Sequence, residues 1–199
     1  KHVTGGDIDQ NLVNIAKRNY QNLANVKIEY LEAEELPYEN GSFDLVLLFE
    51  AIYYLSDVNK FIDHAIRVLK PNGKIIISTV NKEWHGFNAS PHSNYYFSAE
   101  ELLHLFDKKA HAELSIGFLD LPKGNNFVKS KVRKIASSLG LIPKKMKSKE
   151  FLKRIFYGKL KPIPAEISET DAEISLLSLY QKNKNDLSNY KQLYLIVTI

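Results

Sequence analysis

The chain of 199 residues has no cysteine, one methionine and one tryptophan. Without a thiol it has no disulfide, no thiolate nucleophile and no thiolate metal site, and it suits a cytosolic setting. No apolar run approaches the roughly 20 residues of a membrane span, and no charged segment followed by an apolar one marks a secretory leader. Acids are scarce in one stretch. Between Lys123 and Lys161 there are thirteen Lys or Arg and one acid, Glu150, a local +12 in a chain of net charge +4, which leaves −8 for the remainder. An acidic body with a basic insert is the result. Hydrophobic side chains make up 44%, enough for one domain with a core and a small appendage. The chain opens Lys1-His2-Val3 into a strand pattern without Met, which reads as a fragment whose start lies upstream.

What is present is organised around Phe43 to Leu55. The run Leu45 to Phe49 is apolar at every position, as expected of a strand covered by helices on both faces of a parallel sheet. A turn, Glu39-Asn40-Gly41-Ser42, precedes it and a helix start, Ser56-Asp57, follows, leaving too little room for a buried helix. Open α/β sheets bind ligands beyond the carboxyl ends of their strands, which here means Phe49 to Tyr54.

In chain order, Val3 to Asp7 reads as a strand running into a helix that Asp9 caps, with Leu12, Val13, Ile15 and Ala16 on its apolar side. Val26 to Leu31 is a second strand. A helix over Asp57 to Leu69 carries Val58, Phe61, Ile62, Ala65, Ile66 and Leu69 at helical spacing and ends at Lys70-Pro71-Asn72-Gly73, and Lys74 to Val80 is the next strand. A loop over Asn81 to Phe97 precedes a capping box at Ser98 and Glu101. His111 to Leu119 and Lys191 to Ile199 read as strands, and Thr170 with Glu173 starts a helix over about Asp171 to Lys182. Strands alternating with helices predict an α/β fold with a doubly wound, mostly parallel sheet. The domain reading is a core over 1–122, a basic helical insertion or cap over 123–165, and the last helix and strand of the core over 166–199.

Two carboxylates stand out at strand ends. Asp7 holds the position from which doubly wound folds accept the protons of a ribose diol, although capping the next helix is an equally good task. Glu32, after the next strand, has the chemistry to accept from an adenine amino group, with the Ala33 N–H available to a ring nitrogen. Alone, each is a solvated acid; together they supply what an adenosine moiety needs.

The series Asp7-Ile8-Asp9, Glu32-Ala33-Glu34-Glu35-Leu36-Pro37-Tyr38, Gly41-Ser42-Phe43-Asp44-Leu45-Val46 and Leu69-Lys70-Pro71-Asn72-Gly73-Lys74 resembles the class I S-adenosylmethionine-dependent methyltransferases, especially the small-molecule group with the ubiquinone and menaquinone methylases. The resemblance covers about residues 1 to 120 and returns at the last strand. It implies a Rossmann-like fold with an antiparallel final strand and S-adenosylmethionine as cofactor. It also implies that Asp7, with Ile8 beside it, holds the ribose, that Glu32 and Ala33 contact adenine, and that Phe49 lines the methionine end. Two departures stand out. Glu32 replaces the family's usual Asp, and the family's first strand and glycine-rich loop should precede residue 1, so a gap is expected at the centre of the sheet. Gly5-Gly6 do not replace that loop.

A methyl acceptor must be aligned with the sulfonium and, if it is a hydroxyl, lose a proton. Candidate catalytic groups are His85 and His92 in the long loop, whose near-neutral titration suits a base, and Glu50 and Tyr54, with Tyr53, at the mouth of the central strand. Loop histidines are commonly surface residues, and tyrosines are commonly core and rim. In the basic insert, Phe127, Val128, Val132, Ile135, Ala136 and Leu139 form one apolar stripe and Phe151, Leu152, Ile155 and Phe156 another. Such helices pack on the body with lysines facing water, or form a lid that attracts an anionic small-molecule acceptor. No nucleic-acid-binding module is recognisable, so no specific nucleic acid is expected, and no metal site is. Two other readings remain open: a Rossmann-like binding domain without catalysis, and a nicotinamide-dependent dehydrogenase, which shares the ribose acid and the doubly wound sheet but does not account for an antiparallel final strand.

Overall fold

The computed structural model of the chain describes residues 1–107, 109–119, 178–181 and 186–199. Strand β1 (Val3–Asp7) leads into helix α1 (Gln10–Tyr20), where the Asp9 carboxylate accepts from the Asn11 N–H at 2.8 Å and so satisfies one of the open donors of the first turn. Strand β2 (Val26–Tyr30) returns beside β1 as its parallel partner, with Val3 opposite Val26 and Asp7 opposite Tyr30.

Strand β3 (Phe43–Phe49) follows a turn in which Gly41 takes φ of 65°. A single turn of 3₁₀ helix at Ile52–Tyr54 leads to helix α2 (Val58–Val68), capped by Asp57, which accepts from the Lys60 N–H at 3.1 Å. Strand β4 (Leu69–Val80) pairs with β3 in parallel, helix α3 (Ala99–His104) opens on the Ser98–Glu101 capping box, and strand β5 (His111–Leu119) follows. Strands β6 (Ser178–Leu179) and β7 (Tyr190–Thr198) complete the described fold.

These strands form two ladders, β1-β2 and β3-β4-β7-β5-β6. In the larger one β7 is antiparallel to both β4 and β5, and β6 is antiparallel to β5, so β3, β4 and β5 run one way against β7 and β6. Its apolar face carries Leu48, Ile75, Ile77, Leu114, Ile116, Leu193, Leu195 and Val197, which join Phe61, Ile62 and Ala65 of α2 and Ala99 and Leu102 of α3 in one core. Burying a Phe or Ile of this kind stabilises the fold by about 1.5–3 kcal/mol.

Two expectations need correction. The central strand is not covered on both faces: Leu45, Leu47 and Phe49 alternate on one face and remain 43%, 51% and 57% exposed, while Leu48 faces the core. Helices α2 and α3 pack on the other face. The gap expected at the centre of the sheet is found among the described residues, where β3 and the β1-β2 pair share no ladder. A helix through Lys182 is also excluded at its end, because Ser178 and Leu179 pair with Ile116 and Ser115 and the Tyr180 N–H donates to the Leu114 carbonyl at 2.9 Å. The open edge of β5 offers backbone partners that outweigh local helix preference. The expected helix start at Thr170 and the basic insert over 123–165 lie outside the described residues.

The two ladders are joined by side chains. Arg67 on α2 donates to the Leu36 carbonyl at 2.7 Å, to the Tyr38 carbonyl at 2.6 Å and to Asn40 Oδ1 at 3.1 Å, fixing the connection between β2 and β3. The Tyr38 hydroxyl reaches back to Glu29 on β2. Desolvation of the phenol, followed by the Glu29 carboxylate, pushes the Tyr38 pKa up, so it stays a donor.

Candidate functional site

The strand-end carboxylates lie next to each other. Asp7 ends β1 opposite Tyr30, the Leu31 N–H donates to the Asp7 carbonyl at 3.1 Å, and Glu32 follows directly. Asp7 Oδ1 accepts from the Asp9 N–H at 2.8 Å, which fixes the carboxylate at the start of α1, and the side chain is exposed. Glu32 Oε1 accepts from the Tyr30 hydroxyl at 2.8 Å, and it too is exposed. Each carboxylate keeps further lone pairs for a ligand. Ile8 lies just beyond Asp7 and is 66% exposed. A shallow cavity of about 200 Å³ between β1 and α1 is lined by Gly5, Gly6, Asp7, Leu12, Val13 and Ala16. A larger one of about 300 Å³, lined by Leu103, His104, Phe106, Asp107 and Ala110, touches none of these strand-end residues.

Gly6 makes the approach of the two strands possible. A Cβ there would meet Leu31 Cβ at 2.4 Å, well inside contact distance, so a side chain at this position would push the Asp7 and Glu32 ends apart.

The next two acids serve the scaffold. Glu34 accepts from the Ser56 N–H at 2.5 Å and the Asp57 N–H at 3.2 Å, and from the Ser56 hydroxyl, whose bond leads in holding its carboxyl below the usual range. Glu35 pairs with Lys60, whose bond to it holds its carboxyl low as well. Both acids therefore point toward the start of α2, and Glu32 alone of the three stays at the strand end.

A second group gathers where β3 ends. Glu50 has φ of 52°, in the left-handed region that a Glu adopts at a cost of about 1 kcal/mol, and its N–H donates to the Ser78 carbonyl at 2.9 Å. Its carboxylate accepts from Gln192 Nε2 and from the Tyr53 hydroxyl at 3.1 Å. Burial and then the Glu50 charge push the Tyr53 phenol up, and the same two causes raise Tyr194 on β7. Both phenols are donors at neutral pH and neither can act as a base there. Tyr53 lies 4.6 Å from Tyr54 and 5.0 Å from Tyr96 between ring centroids, and Phe87 lies 4.8 Å from Tyr96. Asn94 ties the loop to this mouth by donating to the Tyr54 and Leu55 carbonyls at 2.9 and 3.0 Å.

Of the expected catalytic residues, the structure brings together Glu50, Tyr53 and Tyr54. His85 is drawn elsewhere: its Nδ1 donates to the Ser188 carbonyl at 2.8 Å, and its ring meets Trp84 at 5.6 Å. His92 is exposed in the loop, with its backbone N–H donating to Ser90 Oγ at 3.3 Å. Phe49 stands beside Glu50 with its ring open, and Ala33 is half-buried. Sequence reasoning missed Gln192, Tyr194 and Ser78; the one signal was polar residues interrupting apolar strands. Among the described residues no group of His, Asp and Glu is arranged to hold a metal ion, and no helix is long and apolar enough to cross a membrane.

Residues 1–77 match a family described as a methyltransferase domain. A ubiquinone biosynthesis O-methyltransferase of Bartonella tribocorum is 27% identical over 140 residues, 70% of this chain and 54% of that one. The ubiquinone/menaquinone biosynthesis C-methyltransferase UbiE of Rickettsia akari is 34% identical over 99 residues, 48% and 40% of the two chains. The chain thus spans about half the length of the curated relatives it matches. Among solved structures, a SAM-dependent methyltransferase of Thermotoga maritima, described as a possible histamine N-methyltransferase, superposes with a TM-score of 0.58 at 16% identity, covering 98% of this chain and 72% of that one. That likeness shows the Rossmann-like fold and by itself no activity.

Proposed function

We propose that this chain is a class I S-adenosylmethionine-dependent methyltransferase that binds its cofactor at the ends of β1, β2 and β3 and directs the methyl group to a small-molecule acceptor. The observation that carries the reading is the pair Asp7 and Glu32 on adjacent strand ends within the matched residues 1–77. The donor set fits the nucleoside: Asp7 accepts from ribose hydroxyls, Glu32 accepts from the adenine amino group, and Ala33 offers its N–H. Phe49 supplies an apolar wall at the end of β3. Bound S-adenosylmethionine supplies an electrophilic methyl group whose transfer to the acceptor leaves the thioether, with the acceptor's proton, where it has one, passing to a base or to solvent. The residues around Glu50 shape the acceptor side, and the loop over 81–97 closes on them through Asn94.

The excess of +12 over 123–161 supports an acceptor that carries a negative group away from its reacting atom. Intermediates of ubiquinone and menaquinone biosynthesis and malonyl-[acyl-carrier protein], named for relatives of this chain that include an O-methyltransferase of Hahella chejuensis 31% identical over 104 residues, are acceptors to assay first. Isothermal titration with S-adenosylhomocysteine tests the cofactor half of the reading: saturable binding is expected, lost or weakened in Asp7→Ala. No binding of either S-adenosylhomocysteine or S-adenosylmethionine overturns it.

A further inference from the structure

The mouth of β3 holds a carboxylate in unusual company. Glu50 is exposed, and its two side-chain partners, Gln192 and Tyr53, are neutral donors. Tyr194 on β7 lies opposite Ser78, whose carbonyl accepts from the Glu50 N–H at 2.9 Å, and it is also protonated at neutral pH. Lysines elsewhere pair with acids of the body, as Lys82 does with Glu101 at 2.5 Å and Lys109 with Asp63 at 2.8 Å, but among the described residues no ion pair reaches Glu50. An aromatic group adjoins it: Tyr53, whose hydroxyl donates to Glu50, packs on Tyr54 and Tyr96, and Tyr54 is 53% exposed.

A carboxylate held by neutral donors keeps its charge for a ligand, and ring faces beside it attract a cation through their quadrupole. Glu50 holds a left-handed backbone at the end of β3, and its hydrogen bonds to Gln192 and Tyr53 offset that strain. We propose that Glu50, with Tyr53, Tyr54 and Tyr194, forms a seat for an onium group of the ligand, a positively charged sulfur or nitrogen bearing alkyl groups. This rests on the methyltransferase reading for one of its two sources, the sulfonium of the cofactor. The other source is an alkylammonium on the acceptor. Glu50 is a binding and positioning residue in either case.

The test separates the sources by charge. S-adenosylmethionine and S-adenosylhomocysteine differ by the sulfonium methyl and its charge, so the wild-type protein is titrated with both, and tetramethylammonium chloride is used as the ammonium probe in thermal shift against sodium chloride at equal ionic strength. The same three ligands are then applied to Glu50→Gln, which keeps the shape and one acceptor oxygen. If the seat holds the sulfonium, the wild type favours S-adenosylmethionine and the variant loses about fivefold in its affinity while S-adenosylhomocysteine changes less than twofold, as expected for one partly exposed charge beside aromatic rings. If it holds an ammonium, tetramethylammonium raises the wild-type melting temperature and not that of the variant, and the ratio for the two nucleosides is unchanged. Should the variant not fold, the wild type decides: no preference for the sulfonium and no shift with tetramethylammonium overturn the seat. Failure of both nucleosides to bind overturns the cofactor reading instead, and the tetramethylammonium arm then decides the seat alone.

Discussion

The guanidinium of Arg67, on the last turn of α2, donates to the backbone carbonyl of Leu36 at 2.7 Å, 31 positions earlier in the chain. The same group donates to the Tyr38 carbonyl at 2.6 Å, so one side chain satisfies two carbonyls of a connection that has no ladder of its own.

Arg67→Met keeps the apolar stem and removes the donors. It should destabilise the fold by about 1–3 kcal/mol, the scale for leaving polar groups without partners. Urea unfolding measures it; a midpoint within error of the wild type would show that water replaces the guanidinium without loss.

Asp7→Ala should weaken binding of S-adenosylhomocysteine by about 1–3 kcal/mol, the scale for hydrogen bonds to a charged acceptor. The carboxylate also accepts from the Asp9 N–H, so circular dichroism of the variant must confirm that α1 is retained. Unchanged affinity in a folded variant removes Asp7 from the site.

Gly6→Ala introduces a Cβ that must displace Leu31. The expected outcome is a loss of stability of about 1–3 kcal/mol from overpacking, together with weaker nucleoside binding as the ends of β1 and β2 separate. Titration calorimetry on the folded fraction distinguishes the two; a variant with wild-type stability and affinity would mean that Leu31 moves aside at no cost.

Stability should fall in acid through Glu101. Burial of this carboxyl acts to raise its pKa, but bonds from Lys82, the Ser98 N–H and the Tyr95 hydroxyl prevail and hold it at about 2, against an ordinary 4.5. A carboxyl depressed by folding contributes fully above its unfolded value, so this contribution is present above pH 4.5 and is lost as the pH falls toward 2. Melting temperatures of wild type and Glu101→Gln should therefore converge across that window. Parallel curves would place the acid sensitivity elsewhere, for example in Glu34 or Glu35.

What could be read from the residues alone was local. Asp9, Asp57 and the Ser98–Glu101 box announced three helix starts because a cap and the donor it satisfies lie within a few positions. The acids at 7 and 32 were visible for the same reason, as each lies at the end of its strand. Pairings across long separations were not legible. Gln192 meets Glu50 over 142 positions, and neither residue's neighbours signal the other. Nor did the uniform apolarity of Leu45 to Phe49 disclose that only one face would be covered, since periodicity cannot report which helices arrive. The edge strand at Ser178–Leu179 was misread for a related reason: its partner is Ser115–Ile116, and local preference pointed to a helix.

The separation of the two ladders bears on motion. Among the described residues, β1 and β2 share no backbone ladder with β3, and they are held to the larger sheet by contacts such as Tyr38 to Glu29. Small units held by few contacts open more readily than a continuous sheet, and their amide protons then exchange with solvent ahead of those in the core. Deuterium should therefore enter Val26 to Tyr30 before Leu193 to Val197, and a nucleoside bound to Asp7 and Glu32 should slow the first segment more than the second. The unit proposed to hold the nucleoside would then be the part whose local unfolding is most sensitive to occupancy, making the exchange rate of β2 a gauge of binding that requires no knowledge of the acceptor.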